Sequence, residues 1–289
     1  MDHSISLPRL DAAGLLRQFG LHPNKRLGQN FLVDESILAR ITEAARIDSD
    51  SIVLEVGAGL GSLTRHLALR ARYVVAVELD AQLIPPLNQV IAQFQNIRVV
   101  EGDILSLDPL QLVSSPDYFI VANIPYYITS ALIRHLLEAK APPSRMILTV
   151  QQEVARRICA SPGDMNLLAL SVQVYGHPVS VFHIPSEAFY PSPKVDSEVI
   201  QIELYPSPLI PPLLLDTFFT LIKAGFSQKR KMLRNALSGG LHLSPSTIES
   251  LLADAGIDPR RRAEALSLVE WKSLTERYHN NHYGPPKAS

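Results

Sequence analysis

The run Val121-Ala122-Asn123-Ile124-Pro125-Tyr126-Tyr127 sets an amide, a proline-bent backbone and an aromatic ring in consecutive steps after an apolar stretch that reads as a strand. That residue set suits one demanding reaction. The exocyclic amine of a nucleobase is a poor nucleophile because its lone pair is delocalised into the ring. An Asn side-chain oxygen and a fixed backbone carbonyl can accept the amine's two hydrogens and draw the lone pair out of the ring plane. The Tyr ring beside them can stack on a base taken out of its helix. Asn-x-Pro-Tyr alone is short, and an ordinary strand-to-helix turn accounts for it equally well. The sequence upstream shifts that balance.

Ile52-Val53-Leu54-Glu55-Val56 is a short β-branched run that opens into Gly57-Ala58-Gly59-Leu60-Gly61, after which Ser62 to Ala68 has helical spacing. Glycines there let the backbone turn tightly and approach a ligand. A second strand, Tyr73 to Val77, ends in Glu78, about twenty residues on, where the tip of a βαβ unit presents an acid to a ribose diol. A third strand, Ile97 to Val100, runs into Asp103, which can hydrogen-bond an adenine amine. A dinucleotide fingerprint would place its third glycine where Ser62 stands. Glycines at 57, 59 and 61 instead give the spacing of S-adenosylmethionine-dependent methyltransferases, and Glu55 can meet a methionine amino group. Any one of these acids could be a solvated strand end. Three at the carboxyl ends of consecutive strands favour the methyl donor over a nicotinamide.

With those pieces in place the chain resembles a known family. Lys25-Arg26-Leu27-Gly28-Gln29-Asn30-Phe31-Leu32, the glycine turn, the acids at 78 and 103, the Asn123 run and Pro185-Ser186-Glu187-Ala188-Phe189-Tyr190-Pro191-Ser192-Pro193-Lys194-Val195-Asp196-Ser197 follow one another in the order seen in ribosomal RNA adenine N6-methyltransferases, specifically the small-subunit dimethyltransferases. The resemblance runs from about Leu21 to Leu274. It implies dimethylation of the N6 amines of two adjacent adenosines in the 3′-terminal hairpin loop of 16S rRNA, with S-adenosyl-L-methionine as cofactor and the immature small ribosomal subunit as partner. The alternatives are the large-subunit sister activity that confers macrolide resistance, and a non-catalytic assembly or transcription factor. The basic tail and the 185–197 block favour the small subunit. Retention of Asn123, Tyr126 and Glu78 disfavours a purely structural role.

The resemblance also assigns roles. Gln29, Asn30 and Leu32 close over the methionine end of the donor. Glu55, Gly57, Gly59 and Gly61 shape the pocket around that end and the ribose. Glu78 with Leu79 takes the ribose, and Asp103 with Ile104 the adenine. Asn123 and the Ile124 carbonyl, bent into place by Pro125, hold the target N6. Tyr126 stacks on the base, and Phe189 projects from a Pro-bounded loop to cover its other face. Many relatives carry Asn after the Asn-x-Pro-Tyr tetrad where this chain has Tyr127, a change other members share. His22, His66, His135, His177 and His183 have no common spacing and read as surface or helix-end residues. The attack needs no general base, since alignment and base extrusion carry most of the rate.

Composition agrees without demanding this reading. A chain of 289 residues with 46% hydrophobic content is enough for one α/β domain and a smaller one. The lone Cys159 excludes a disulfide framework within the chain, and no Cys/His spacing suggests a metal. Neither a membrane span nor a secretory signal is legible, so a cytoplasmic protein working as a monomer is expected. Net charge is −1, but its distribution is uneven: residues 1–205 hold 16 Lys+Arg against 21 Asp+Glu, and residues 206–289 hold 11 against 7. Lys229, Arg230, Lys231 and Arg234 fall in an acid-free stretch and are the candidate RNA contacts, a solvated helix face being the plain alternative.

These groups need elements to hold them. The pattern predicts a doubly wound, Rossmann-like α/β sheet with strands near 52–56, 73–78, 97–101, 118–122, 145–150, 179–184 and 195–204. Asp34 is expected to cap a helix through Ala45, Thr129 another, and Pro85-Pro86 to open a third. The expected divisions are an N-terminal segment with the closing loop (1–33), the methyltransferase domain (34–205), and a small helical RNA-binding domain (206–289). In the last, 213–237 and 246–255 read as helices.

Overall fold

The computed structural model describes residues 7–125, 128–228 and 230–284. Elements in chain order are α1 (Ala12–Gln18), β1 (Phe31–Leu32), α2 (Glu35–Ala45), β2 (Ile52–Val56), α3 (Ser62–Ala68), β3 (Tyr73–Glu78), α4 (Ile84–Ile91), β4 (Ile97–Glu101), α5 (Pro109–Val113), β5 (Phe119–Asn123) and α6 (Thr129–Leu137). They continue through β6 (Arg145–Gln151), α7 (Gln152–Ile158), α8 (Leu167–Gln173), β7 (Gly176–Ile184), β8 (Phe189–Tyr190) and β9 (Ser197–Leu204) to α9 (Leu215–Phe226), α10 (Leu233–Leu241), α11 (Pro245–Asp254) and α12 (Leu268–Tyr283).

Seven strands form one sheet in the order β4-β3-β2-β5-β6-β9-β7. The first five are parallel, and β9 runs antiparallel to β6. The parallel strands are continuous apolar runs because helices cover both faces. Val53, Leu54, Val74, Val75, Ala76, Ile120 and Val121 are fully buried. Strand order reverses between β2 and β5, so the crevice beyond their carboxyl ends is where a doubly wound fold binds ligands.

Local signals behave as the sequence predicts in several places. The Asp34 side chain accepts from the Ser36 and Ile37 amides and starts α2, whose Ile37, Leu38, Ile41 and Ala45 are buried. Pro85 and Pro86 lie in the first turn of α4, where missing amides cost nothing. Thr129 does not cap α6. Ile128 holds that position and Thr129 is buried as the first helical residue.

The chain divides into two compact units, and the division departs from the expected boundaries. One unit is the chain up to Ala155 with Pro178–Leu204; the other is Arg156–His177 with the chain from Tyr205 onward. Residues 156–177 therefore leave the methyltransferase domain. Met165, Ala169, Leu170 and Val174 share a core with Phe218, Leu221 and Trp271, and the amides of Gly163 and Met165 donate to the Glu264 carbonyl. Residues 7–33 likewise belong to the first unit. Leu15 and Leu16 of α1 pack with Phe31, Val33, Leu60 and Leu83.

The expected helix over 213–237 is two. α9 ends at Phe226; the backbone is extended at Met232, and Leu233 at the start of α10 donates its amide to the Arg261 carbonyl (2.7 Å). α12 has no counterpart among the predicted helices. Its signal was nonetheless present: Ser267 and Glu270 form a capping box at its start. No helix among the described residues is long and apolar enough to cross a membrane.

Candidate active site

At the crevice beside β2 and β5 the first unit opens a cavity. Gln29, Asn30, Leu32, Glu55, Gly57, Gly59, Glu78, Leu79, Asp103, Ile104, Asn123, Ile124, Pro125 and Phe189 all line it. Residues scattered over 160 positions meet there because β2, β3, β4 and β5 end side by side and β1 closes over them with β8.

Gly57, Gly59 and Gly61 all take positive φ, which makes the turn after β2 tight. Gly61 does not line the cavity. A Cβ there would come within 2.9 Å of Leu87, so its job is close packing of α3 against α4.

The acids differ in environment. Glu78 is buried and binds backbone with both oxygens, accepting from Gly59 (2.7 Å) and Asp80 (2.8 Å), so it also holds the glycine turn in place. Burial pushes its carboxyl up. Glu55 is more extreme. It is 1% exposed, and its Oε2 has no hydrogen-bond partner. Burial pushes its carboxyl up to about 8; Thr64 pulls it back and the charge of Glu78 adds to the rise. Asp103 is exposed, and Oδ1 accepts from the Leu105 amide (3.0 Å).

Such a carboxyl costs the ligand-free protein stability. With a folded value near 8 against 4.5 unfolded, the native state holds the extra proton between those values, so stability falls as pH rises through that window. Glu55→Gln is therefore expected to raise the melting temperature above pH 8 and change little near pH 4. A Gln variant that melts lower than the parent at both pH values would show that the buried carboxyl is not a burden on the fold.

The loop before β1 is pinned to this floor. Gln29 donates to Asp80 (2.7 Å) and accepts from the Asn24 amide (2.8 Å), so Asp80, two residues after Glu78, is a loop anchor that no sequence pattern singled out. Asn30 donates to the Gly28 carbonyl (3.1 Å), and its own carbonyl accepts from Asn123 Nδ2 (3.2 Å). With Nδ2 engaged there, Asn123 Oδ1 receives no hydrogen bond from another described residue. The Ile124 amide donates to the Thr149 carbonyl (3.2 Å), fixing the plane of the Asn123–Ile124 peptide. Tyr126 lies outside the described residues.

Phe189 is not a loop residue. It pairs with Leu32 across β1 and β8, is 4% exposed, and belongs to a core with Leu32, Ile37 and Leu63. It lines the cavity from a buried position, which its Pro-bounded surroundings in the chain offer no means of foreseeing.

Of the candidate RNA contacts, Lys229 lies outside the described residues, and Arg230 and Lys231 are exposed. Arg234 pairs with Glu249 at the surface, so its charge is partly offset. His66 lies in the last turn of α3 as a helix-end residue, but it is half-buried and contacts Glu35 (2.7 Å), beside the buried Arg65.

The model of the family described as "Ribosomal RNA adenine dimethylase" matches residues 20–280. The chain is 45% identical over 271 residues to the ribosomal RNA small subunit methyltransferase A of Dehalococcoides mccartyi (strain CBDB1), covering 93% of each. It is 42% identical over 272 residues to the protein of that name from Moorella thermoacetica, covering 90% of this chain and 94% of the relative. Among solved structures, a dimethyladenosine transferase from Plasmodium falciparum superposes with a TM-score of 0.75 at 25% identity, over 87% of this chain and 98% of the other. The 23S rRNA methyltransferase ErmE gives a TM-score of 0.70 at 31% identity, over 86% and 99%.

Proposed function

The chain belongs to the ribosomal RNA adenine dimethylase family, and on that premise we propose that it dimethylates the N6 amines of two adjacent adenosines in the 3′-terminal hairpin loop of 16S rRNA, acting as one chain on the immature small subunit with S-adenosyl-L-methionine as methyl donor. The observation that carries this reading is a single cavity lined by Glu55, Glu78, Asp103 and Asn123. Small-subunit relatives at 45% and 42% identity favour that substrate over the large-subunit one of ErmE at 31%.

The residues present fit the donor. The partnerless buried Oε2 of Glu55 suits an ammonium group, and Glu78 at the tip of β3 suits a ribose diol. When bound, the donor supplies an already activated sulfonium methyl. The chain's part is to make the amine attack. Asn123 Oδ1 and the Ile124 carbonyl accept its two hydrogens and pull the lone pair toward the methyl carbon, while Tyr126 and Phe189 hold the base. The attacking N6, held by Asn123 Oδ1 and the Ile124 carbonyl, would give up one proton to solvent on accepting the methyl. A monomethylated amine keeps a lone pair, so a second round is possible in the same site.

Isothermal titration tests the donor half. Saturable binding of S-adenosylmethionine is expected, and Glu78→Ala should weaken it about ten- to a hundredfold, the worth of charge-assisted hydrogen bonds plus the Gly59 anchor. Tight NADH binding without donor binding would overturn the reading. The basic run tests the RNA half. Replacing Lys229, Arg230 and Lys231 with Ala should weaken small-subunit binding and reduce its salt slope by about one for each phosphate no longer neutralised. An unchanged slope returns those residues to a solvated surface.

A further inference from the structure

Residues 24–30, before β1, close on themselves. The Leu27 and Gln29 amides both donate to the Asn24 carbonyl (3.2 and 3.3 Å), and the Arg26 amide donates to Asn24 Oδ1 (3.0 Å). The Gln29 side chain works in two directions. Within the loop its Oε1 accepts from the Asn24 amide (2.8 Å); outside it, Nε2 donates to Asp80 Oδ2 (2.7 Å). Leu27, Gly28, Gln29 and Asn30 form part of the cavity wall, whereas Asp80 does not line the cavity and acts on it through the loop it holds.

We propose that Asp80 is a positioning residue for the methyl donor: through Gln29 its carboxylate latches the 24–30 loop over the cavity and slows donor release. The inference rests on the reading of the cavity as a methyl-donor site. The two oxygens of Asp80 divide the work. Oδ1 accepts from the Gln82 amide (3.1 Å) and starts the turn at 81–83, leaving Oδ2 for Gln29. The Asp80 amide in turn donates to Glu78 Oε1 (2.8 Å), so the latch stands on the residue proposed to hold the ribose. Another tie from this loop to a strand end, from Asn123 Nδ2 to the Asn30 carbonyl, is neutral and longer at 3.2 Å. A hydrogen bond to a charged oxygen is the stronger kind.

Each partner can be changed with its remaining duties intact. Asp80→Asn keeps an Oδ1 for the Gln82 amide but sets an amide nitrogen against Gln29 Nε2. Gln29→Glu keeps an acceptor for Asn24 but sets two carboxylates against each other. The double variant restores the bond with donor and acceptor exchanged. Lys25 and Arg26 are exposed in the loop, so trypsin cleavage after them, mapped by mass spectrometry, reads loop opening without the donor.

In the full chain, either single variant should release labelled S-adenosylmethionine about tenfold faster than the parent, the worth of one charge-assisted hydrogen bond, and be cut faster at Lys25 or Arg26. The double variant should regain most of both, a rescue that a residue serving the fold alone would not show in donor release. Folded single variants that release the donor at the parental rate overturn the inference, whether or not cleavage quickens. Cleavage that quickens and is rescued in a set where even the parent binds no donor overturns the methyl-donor reading and leaves the latch standing. If Gln29→Glu alone does not fold, the double variant is compared with Asp80→Asn: slower release from the double variant supports the latch, and equal release overturns it.

Discussion

Asn123→Ala is expected to leave the donor bound and nearly stop the transfer. Asn123 ends β5 at the switch point, and its Nδ2 is held by the Asn30 carbonyl at 3.2 Å, so in the proposed reaction Oδ1 is the atom that would accept from the target amine. Contact with an atom that gains charge only during reaction is worth about 10²–10³-fold in kcat. The donor should lose at most about tenfold in affinity, because the single neutral hydrogen bond to Asn30 helps to hold the closing loop. Asn123→Asp keeps an acceptor but cannot donate to Asn30, so it should recover part of kcat and none of the loop anchoring. Equal loss of donor binding and transfer in Asn123→Ala would mean that the residue builds the pocket and takes no part in the chemistry.

Phe189→Ala should fail twice over. The ring is 4% exposed within a core of Leu32, Ile37 and Leu63, so its removal costs about 3–5 kcal/mol. For a unit of this size that is roughly 6–20 °C in melting temperature. It also lines the cavity, and loss of a stacking surface is worth about 1–3 kcal/mol, or roughly tenfold to more than a hundredfold in methylation per folded molecule. Phe189→Leu separates the two effects: the core is refilled and most of the melting temperature returns, but the π-face does not. Methylation by the Leu variant should stay low, and Phe189→Tyr should regain more of it. Full methylation per folded molecule in Phe189→Leu would leave the residue as core alone.

What was legible in the sequence was local or periodic. The parallel strands announced themselves as β-branched runs between glycine and acid turns, and Asp34 as a helix start, because each depends on neighbours a few residues away. The glycine turn, Glu78, Asp103 and Asn123 were readable for the same reason: each follows directly from a strand end. What escaped depends on distant partners. Phe189 is buried because β8 pairs with β1, more than 150 residues earlier. Arg234 is offset by Glu249, and residues 156–177 join the second core through Leu170 and Phe218, neighbours with no local trace. The start of α10 at Leu233 is tied to the distant Arg261 carbonyl, which receives the Leu233 amide. Gly61 reads as a ligand-turn glycine and proves to be a packing glycine, since only the fold brings Leu87 against it.

The most direct measurement is to incubate the purified chain with unmethylated small ribosomal subunits and S-adenosylmethionine labelled at its methyl group, then map the label along the RNA. Label is expected at two adjacent adenosines of the 3′-terminal hairpin loop and nowhere else, each carrying two methyls on N6, with none when Asn123→Ala replaces the parent. Label in large-subunit RNA only, or at another atom of the base, or equal labelling by the Asn123→Ala variant, would contradict the proposed chemistry.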